Sequence, residues 1–163
     1  MAATWRPAYV AIGSNLNDPR ARIDAAFDAL ARLAGVSSLS RSRRYRSAPM
    51  GPQDQPQFLN AAAGFVTRLE PRRLLEQLLG IERAMGRERT VRWGPRIIDL
   101  DLIWLADERI DEPGLTLPHP GVSSRNFVLY PLDDIAPTLT IPGVGTIRDL
   151  RTRVGDDGIC VDE

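Results

Sequence analysis

Two helical stretches, each opened by proline and closed by glycine, divide this chain and constrain its fold more than any other feature. Asp18-Pro19 supplies an N-cap with proline at the first helical position. Ile23, Ala26, Phe27, Leu30 and Ala34 then recur at helical spacing until Gly35. Pro71 opens the second stretch, with Leu74, Leu75, Leu78, Ile81 and Met85 on one face, and Gly86 closes it. Apolar runs flank both. Tyr9-Val10-Ala11-Ile12, bounded by Gly13-Ser14-Asn15, predicts a buried strand and turn. Residues 36–47 read as a partly exposed strand, 58–69 as a strand centred on Phe65-Val66, and 97–105 as the clearest strand of all. The segment 48–56, with three prolines and a glycine, is a loop. Leu115-Thr116-Leu117 reads as a short turn, and a short helix is expected through Asn126-Phe127-Val128-Leu129. Strand, helix, strand, strand, helix, strand is the split βαβ order, so the expected fold is α+β with a ferredoxin-like βαββαβ core. Added strands and short helices would extend it, in three α/β/α layers. The 163 residues fit one domain, with a core over about 8–150 and a tail, 151–163, that carries no readable signal.

Composition removes whole classes of chemistry. All 21 basic residues are arginine, so a P-loop or Schiff-base lysine is excluded. Phosphate, if handled, must be met by arginine forks, backbone amides or metal. His119 is the one histidine and Cys160 the one cysteine, which rules out a two-histidine zinc site and an internal disulfide. The formal net charge of zero gives no field to recruit nucleic acid or an anionic membrane. With no apolar leader or membrane-length run, the chain reads as cytoplasmic.

The chemistry concentrates around residues 87–101. In Ile98-Asp99-Leu100-Asp101-Leu102, alternation puts both aspartates on one face and the aliphatics on the other. Like charges so placed repel unless something offsets them. A solvated strand face balanced by arginines is one reading. Magnesium held by two carboxylates, with phosphate and water completing its shell, is the other. Arg87, Arg89, Arg92 and Arg96, with Trp93 among them, precede the pair. Such a basic loop could be merely solvated, or could neutralise a nucleotide polyphosphate. Asn60 could read a heterocycle edge or bond to backbone. Glu82 interrupts an apolar helix face, which suggests an arginine partner. His119, between two prolines, could donate to phosphate or be structural.

Several blocks match a known family in order from about residue 9 to 137. They are Ala11-Ile12-Gly13-Ser14-Asn15-Leu16, then Gly51-Pro52-Gln53-Asp54-Gln55-Pro56 with Phe58-Leu59-Asn60. Arg92-Trp93-Gly94-Pro95-Arg96 leads into Asp99-Leu100-Asp101-Leu102, followed by Leu117-Pro118-His119 and Arg125-Asn126-Phe127. The chain resembles the 6-hydroxymethyl-7,8-dihydropterin pyrophosphokinases of folate biosynthesis. The resemblance implies transfer of pyrophosphate from ATP, as co-substrate, to the pterin hydroxymethyl group, with release of AMP. It implies two Mg2+ ions on Asp99 and Asp101, and catalytic roles for Arg87, Arg96, Asp99 and Asp101. Ser47, Pro49, Met50, Phe58, Asn60, Trp93, Asp99 and Phe127 would bind pterin, with Phe58 and Phe127 on either side of the ring. Glu82, Arg87, Arg89, Trp93, Arg96, Ile103, Thr116, His119 and Arg125 would surround ATP. The expected partners are these small molecules alone, with no nucleic acid or membrane, and a monomer as the working unit. Phe58 stands where a tyrosine often occurs, and Leu79 and Gly114 where some members place glutamine and arginine. A non-catalytic nucleotide-binding module and a γ-phosphoryl kinase are the competing readings.

Overall fold

The computed structural model describes residues 4–49, 54–87 and 95–162. The elements are β1 (Arg6–Ser14), α1 (Pro19–Ala31), β2 (Val36–Arg41), β3 (Tyr45–Ser47), β4 (Phe58–Thr67), α2 (Pro71–Ala84) and β5 (Asp99–Leu105). They continue with β6 (Ile110–Glu112), β7 (Leu115–Leu117), α3 (Asn126–Ile135), β8 (Thr140–Ile141), β9 (Gly145–Thr146), α4 (Ile147–Val154) and β10 (Ile159–Val161). The main sheet runs β10-β3-β4-β1-β5, with β2 also on β4, and all its pairings are antiparallel. Strand β4 thus lies between β1 and the β2/β3 segment, as the split βαβ order requires. The fold is α+β, with that ferredoxin-like core extended by further strands and helices.

Alternation along the strands builds two cores. Ala8, Val10 and Ile12 of β1, Ala61, Ala63 and Phe65 of β4, and Leu100 and Leu102 of β5 face one way. They pack with Ile23, Phe27 and Leu30 of α1 and Leu74 and Leu78 of α2. Ala11, Ala62 and Ile103 face the other way, against Val128, Leu129 and Leu132 of α3 and Ile147 and Leu150 of α4. Three layers result. Helix α1 starts as expected: Asp18 is the N-cap, its carboxylate accepts from the Ala21 amide at 3.5 Å, and proline follows. No helix among the described residues is long and apolar enough to cross a membrane.

Four expectations need correction. The stretch 36–47 is two strands, because Ser42 Oγ takes the Ala62 amide at 2.7 Å and interrupts the backbone ladder. Leu115–Leu117 is not a turn but β7, paired in register with β6. The helix at Asn126 runs to Ile135 and holds Pro131 in its interior, sustained by the buried face of Val128, Leu129 and Leu132. The tail contains the end of α4 and all of β10, which adds to the sheet edge at β3. Strand β10 is too short to show a period in sequence.

Candidate active site

Small residues in the middle of the sheet open the site. Register places Asn60 of β4, Gly13 of β1 and Asp99 of β5 in one row across three strands. Two residues along β1, Ala62, Ala11 and Asp101 form the next row on the same face. Two strand spacings separate Asn60 from Asp99 by about 10 Å, and only glycine lies between. A Cβ at Gly13 would lie 3.5 Å from Asn60 Oδ1 and 3.8 Å from the Phe58 ring. The result is a cavity of about 260 Å³, near the lower end of small-molecule pockets. Its floor carries Ala11, Gly13, Asn60, Asp99 and Asp101. Ser47, Ala48 and Phe58 form one wall, and His119, Arg125, Phe127 and Arg96 close the rest.

Each polar group is held in a defined way. The Asn60 amide donates to Ser47 Oγ at 2.7 Å and to the Tyr45 carbonyl at 3.4 Å. Its donor end is thereby engaged, and its oxygen remains on the Gly13 side as an acceptor. Glu82, buried on α2, accepts from the Leu100 amide and from Arg87, both at 2.7 Å. Arg87 passes on to Asp99 at 2.9 Å, and Arg96 reaches the other Asp99 oxygen at 3.4 Å. Glu82 therefore anchors a chain of alternating charge that ends on the cavity floor. Its own pKa is raised, because burial outweighs the Leu100 and Arg87 hydrogen bonds.

Asp101 differs from Asp99. Arg87 pairs with Glu82 and Asp99, and Arg96 pairs with Asp99. Burial, with the Asp99 and Glu82 carboxylates nearby, pushes Asp101 up to about 7. A bound cation would reverse that balance. No group of three or more histidine, cysteine, aspartate or glutamate side chains able to hold a metal occurs among the described residues. Two oxygen-ligand side chains beside an open cavity suit magnesium, which keeps water and phosphate oxygens in its shell. The donor set fits that ion.

A β-bulge places His119. The pairing of β1 with β5 slips between Tyr9 and Val10, leaving Ile103 as the extra residue. Its side chain turns into the α3-side core, and its carbonyl accepts from the His119 amide at 2.8 Å. His119 Nδ1 accepts from the Gly121 amide at 3.0 Å, which leaves the ring proton on Nε2. Burial, followed by the Arg125 charge, lowers its pKa, so the ring is neutral at pH 7.

Of the residues singled out from sequence, Ser47, Phe58, Asn60, Arg96, Asp99, Asp101, His119, Arg125 and Phe127 share this cavity. Glu82 and Arg87 stand behind Asp99, and Pro49 follows the wall residue Ala48. Thr116 on β7 and the core residue Ile103 are not among the lining residues. Met50, Arg89, Arg92 and Trp93 lie outside the described residues. One residue quoted only as part of a motif proves to be a hub. Asn15, 2% exposed, exchanges two bonds with the Arg96 backbone, N–H to carbonyl at 3.0 Å and Oδ1 from the amide at 2.8 Å. Its Nδ2 donates to Gln55 Oε1 at 3.1 Å and the Pro56 carbonyl at 2.9 Å. Ser14 beside it donates to the Ile97 carbonyl at 2.5 Å. A polar pair ending a buried strand was the available signal, but its partners lie 40 and 81 positions away.

Comparison with known proteins agrees with this architecture. The family model described as 7,8-dihydro-6-hydroxymethylpterin-pyrophosphokinase (HPPK) matches residues 9–137. The 2-amino-4-hydroxy-6-hydroxymethyldihydropteridine pyrophosphokinase of Pseudomonas aeruginosa is 44% identical over 151 residues, 93% of each chain. That of Haemophilus influenzae is 42% identical over 149 residues, 91% of this chain and 93% of the relative. The crystal structure of Plasmodium falciparum HPPK-DHPS with pterin and p-hydroxybenzoate superposes with a TM-score of 0.72 at 16% identity. That match covers 94% of this chain but 42% of the longer one, and it bears on fold alone. The chain belongs to the 7,8-dihydro-6-hydroxymethylpterin-pyrophosphokinase family and is a transferase of the pyrophosphokinase class.

Proposed function

We propose that this chain transfers the pyrophosphoryl group of ATP to the hydroxymethyl oxygen of 6-hydroxymethyl-7,8-dihydropterin and releases AMP, with two Mg2+ ions held by Asp99 and Asp101. The observation that carries the reading is the row Asn60–Gly13–Asp99, with an amide suited to reading a heterocycle and a carboxylate suited to binding a metal on either side of an open floor. The Asn60 oxygen accepts from the donor edge of the pterin, while Phe58 and Phe127 take its two faces. Ser47 holds the Asn60 amide in that orientation. The family resemblance alone adds Pro49, Met50 and Trp93 on the pterin side.

Bound magnesium supplies charge neutralisation and alignment of the reacting groups. Arg87 and Arg96 already bracket Asp99, so they meet phosphate oxygens with little rearrangement. His119 presents an Nε2–H donor held neutral, and Arg125 brings a guanidinium to the same cavity. The family resemblance alone adds Arg89, Ile103 and Thr116 on the nucleotide side. The reaction needs positioning and charge more than proton transfer, and no general base is assigned. A monomer is the proposed working unit.

Product analysis tests the reading. With Mg2+, ATP and the pterin, AMP forms, and it does not form when pterin or Mg2+ is left out. ADP in place of AMP would identify a γ-phosphoryl kinase, and no pterin-dependent nucleotide product would reject the assignment. Asp99→Asn and Asp101→Asn lower turnover by about two orders of magnitude or more; near-normal rates in both remove the metal assignment.

A further inference from the structure

The C-terminal segment beyond the matched residues 9–137 touches both walls of the cavity. On one wall, the Ala48 amide donates to the Gly158 carbonyl at 3.3 Å, next to Ser47. Strand β10 continues that contact by pairing Ile159 with Ser47 and Val161 with Tyr45. On the other wall, Asn126 Nδ2 donates to the Asp157 carbonyl at 2.8 Å and to the Gly155 carbonyl at 3.3 Å. Asn126 sits between Arg125 and Phe127, both cavity residues, at the first position of α3. Four residues, 155–158, therefore bridge the start of α3 and the end of β3.

The bridge is built as a fixed piece. Gly155 and Gly158 adopt positive φ, 82° and 73°, so the turn has the backbone that only glycine takes easily. The Ile159 amide closes it on the Asp156 carbonyl at 3.2 Å. Beyond β10, the Asp162 amide donates to the Arg44 carbonyl at 2.9 Å. Its carboxylate takes Arg20 at 2.8 Å, Arg46 at 3.5 Å and Arg44 at 3.9 Å. Three arginines on one carboxylate lock the far end. None of these residues enters the cavity.

We propose that residues 155–158 form a strap that fixes the separation of the Ser47–Ala48 and Arg125–Phe127 walls, with Asn126 as its positioning residue for the acceptor. The proposal rests on the reading of this cavity as the pterin site. Without the strap, the acceptor must itself order the two walls on binding, and affinity falls accordingly. On the nucleotide side only Arg125 adjoins the strap, while Glu82, Arg87 and Asn15 anchor the rest independently of it, so the effect there is the smaller one.

Asn126→Ala and the isosteric Asn126→Asp are the test, with Arg148→Ala as control. Arg148 pairs with Asp133 on α3 at 2.9 Å, away from the walls. Both Asn126 variants raise the KM for pterin roughly fivefold to tenfold, the loss expected for one or two neutral hydrogen bonds. Their ATP KM and kcat stay within about twofold, again judged against one hydrogen bond. Arg148→Ala lowers the melting temperature without moving the pterin KM. An unchanged pterin KM in Asn126→Asp, or a parallel change in both KM values and kcat, overturns the strap. If the wild-type protein forms no AMP, the failure lies with the assigned reaction, and hydrogen exchange then decides the strap separately. Faster exchange of the Ala48 amide in Asn126→Asp supports it, and unchanged exchange rejects it.

Discussion

Asn15→Ala is the perturbation whose size can be worked most directly from the structure. The side chain makes three hydrogen bonds, to the Arg96 amide, Gln55 Oε1 and the Pro56 carbonyl. At about 1 kcal/mol net for each, their loss amounts to about 3 kcal/mol. Removing one partner also leaves backbone groups short of a bond, which holds the figure at that level or above. For a domain of this size, each kcal/mol lowers the melting temperature by about 2–4 °C, so a fall of about 6–12 °C is expected. Gln55→Ala removes only one of the three bonds and should lower it by about 2–4 °C. Thermal unfolding followed by circular dichroism separates the two. Activity reports the second consequence. The Asn15 clasp sets the backbone of Arg96, whose guanidinium meets Asp99. Turnover should therefore fall at least tenfold, given how steeply catalysis depends on placement. The hub reasoning is refuted if Asn15→Ala is no less stable than Gln55→Ala and retains wild-type turnover.

Three further outcomes follow from particular contacts. Asp101 is raised to about 7 in the folded protein, so its ionised form opposes folding above that pH and has no effect below the ordinary carboxylate range. Asp101→Asn should stabilise the magnesium-free protein at pH 8 by on the order of 1–3 kcal/mol while abolishing turnover. Urea midpoints at pH 8 and pH 4 check this, and equal gains at both would contradict it. Gly64→Ala drives a methyl to 2.8 Å from Tyr9 Cε1, with Ile135 at 3.4 Å behind, and should destabilise by about 1–3 kcal/mol. Shortening the ring as well, in Tyr9→Leu, should recover part of that loss; no recovery would place the clash elsewhere. For Asp134, burial raises the pKa, but hydrogen bonds from Arg43 and Tyr45 outweigh it and the net shift is down. Its contribution is present above the unfolded carboxylate pKa of about 3.9 and is lost as pH falls through the lower folded value. Asp134→Asn should cost about 1–2 kcal/mol at pH 7, and the difference should close as pH falls towards 2. A constant difference across that range would argue against the ionised pair.

The helices were legible because their signals are local. Pro19 and Pro71, the Asp18 cap and the apolar spacing act within a turn or two, and both helices start where these residues put them, although α1 ends at Ala31 rather than at Gly35. The shared face of Asp99 and Asp101 followed from alternation in the same way. Local signals fail where partners are distant. A strand of three residues such as β10 has too few positions to alternate, and it forms because β3 offers an open edge. The break in 36–47 depends on Ser42 meeting Ala62, twenty positions away.

The site divides along the same line. Sequence by itself determined which chemistry was available, because the absence of lysine and the single histidine leave arginine, carboxylate and backbone to handle phosphate. It also determined that Asp99 and Asp101 project together, because pleating is a property of every strand. Only the tertiary structure decided what they face. Register put Gly13 and Ala11 beside the aspartates and Asn60 across the gap. A bulge at Ile103 turned His119 inward, and Asn15 joined Arg96 to Gln55 and Pro56. Each of these depends on backbone groups far apart in the chain finding their one available partner, a choice that no local pattern encodes.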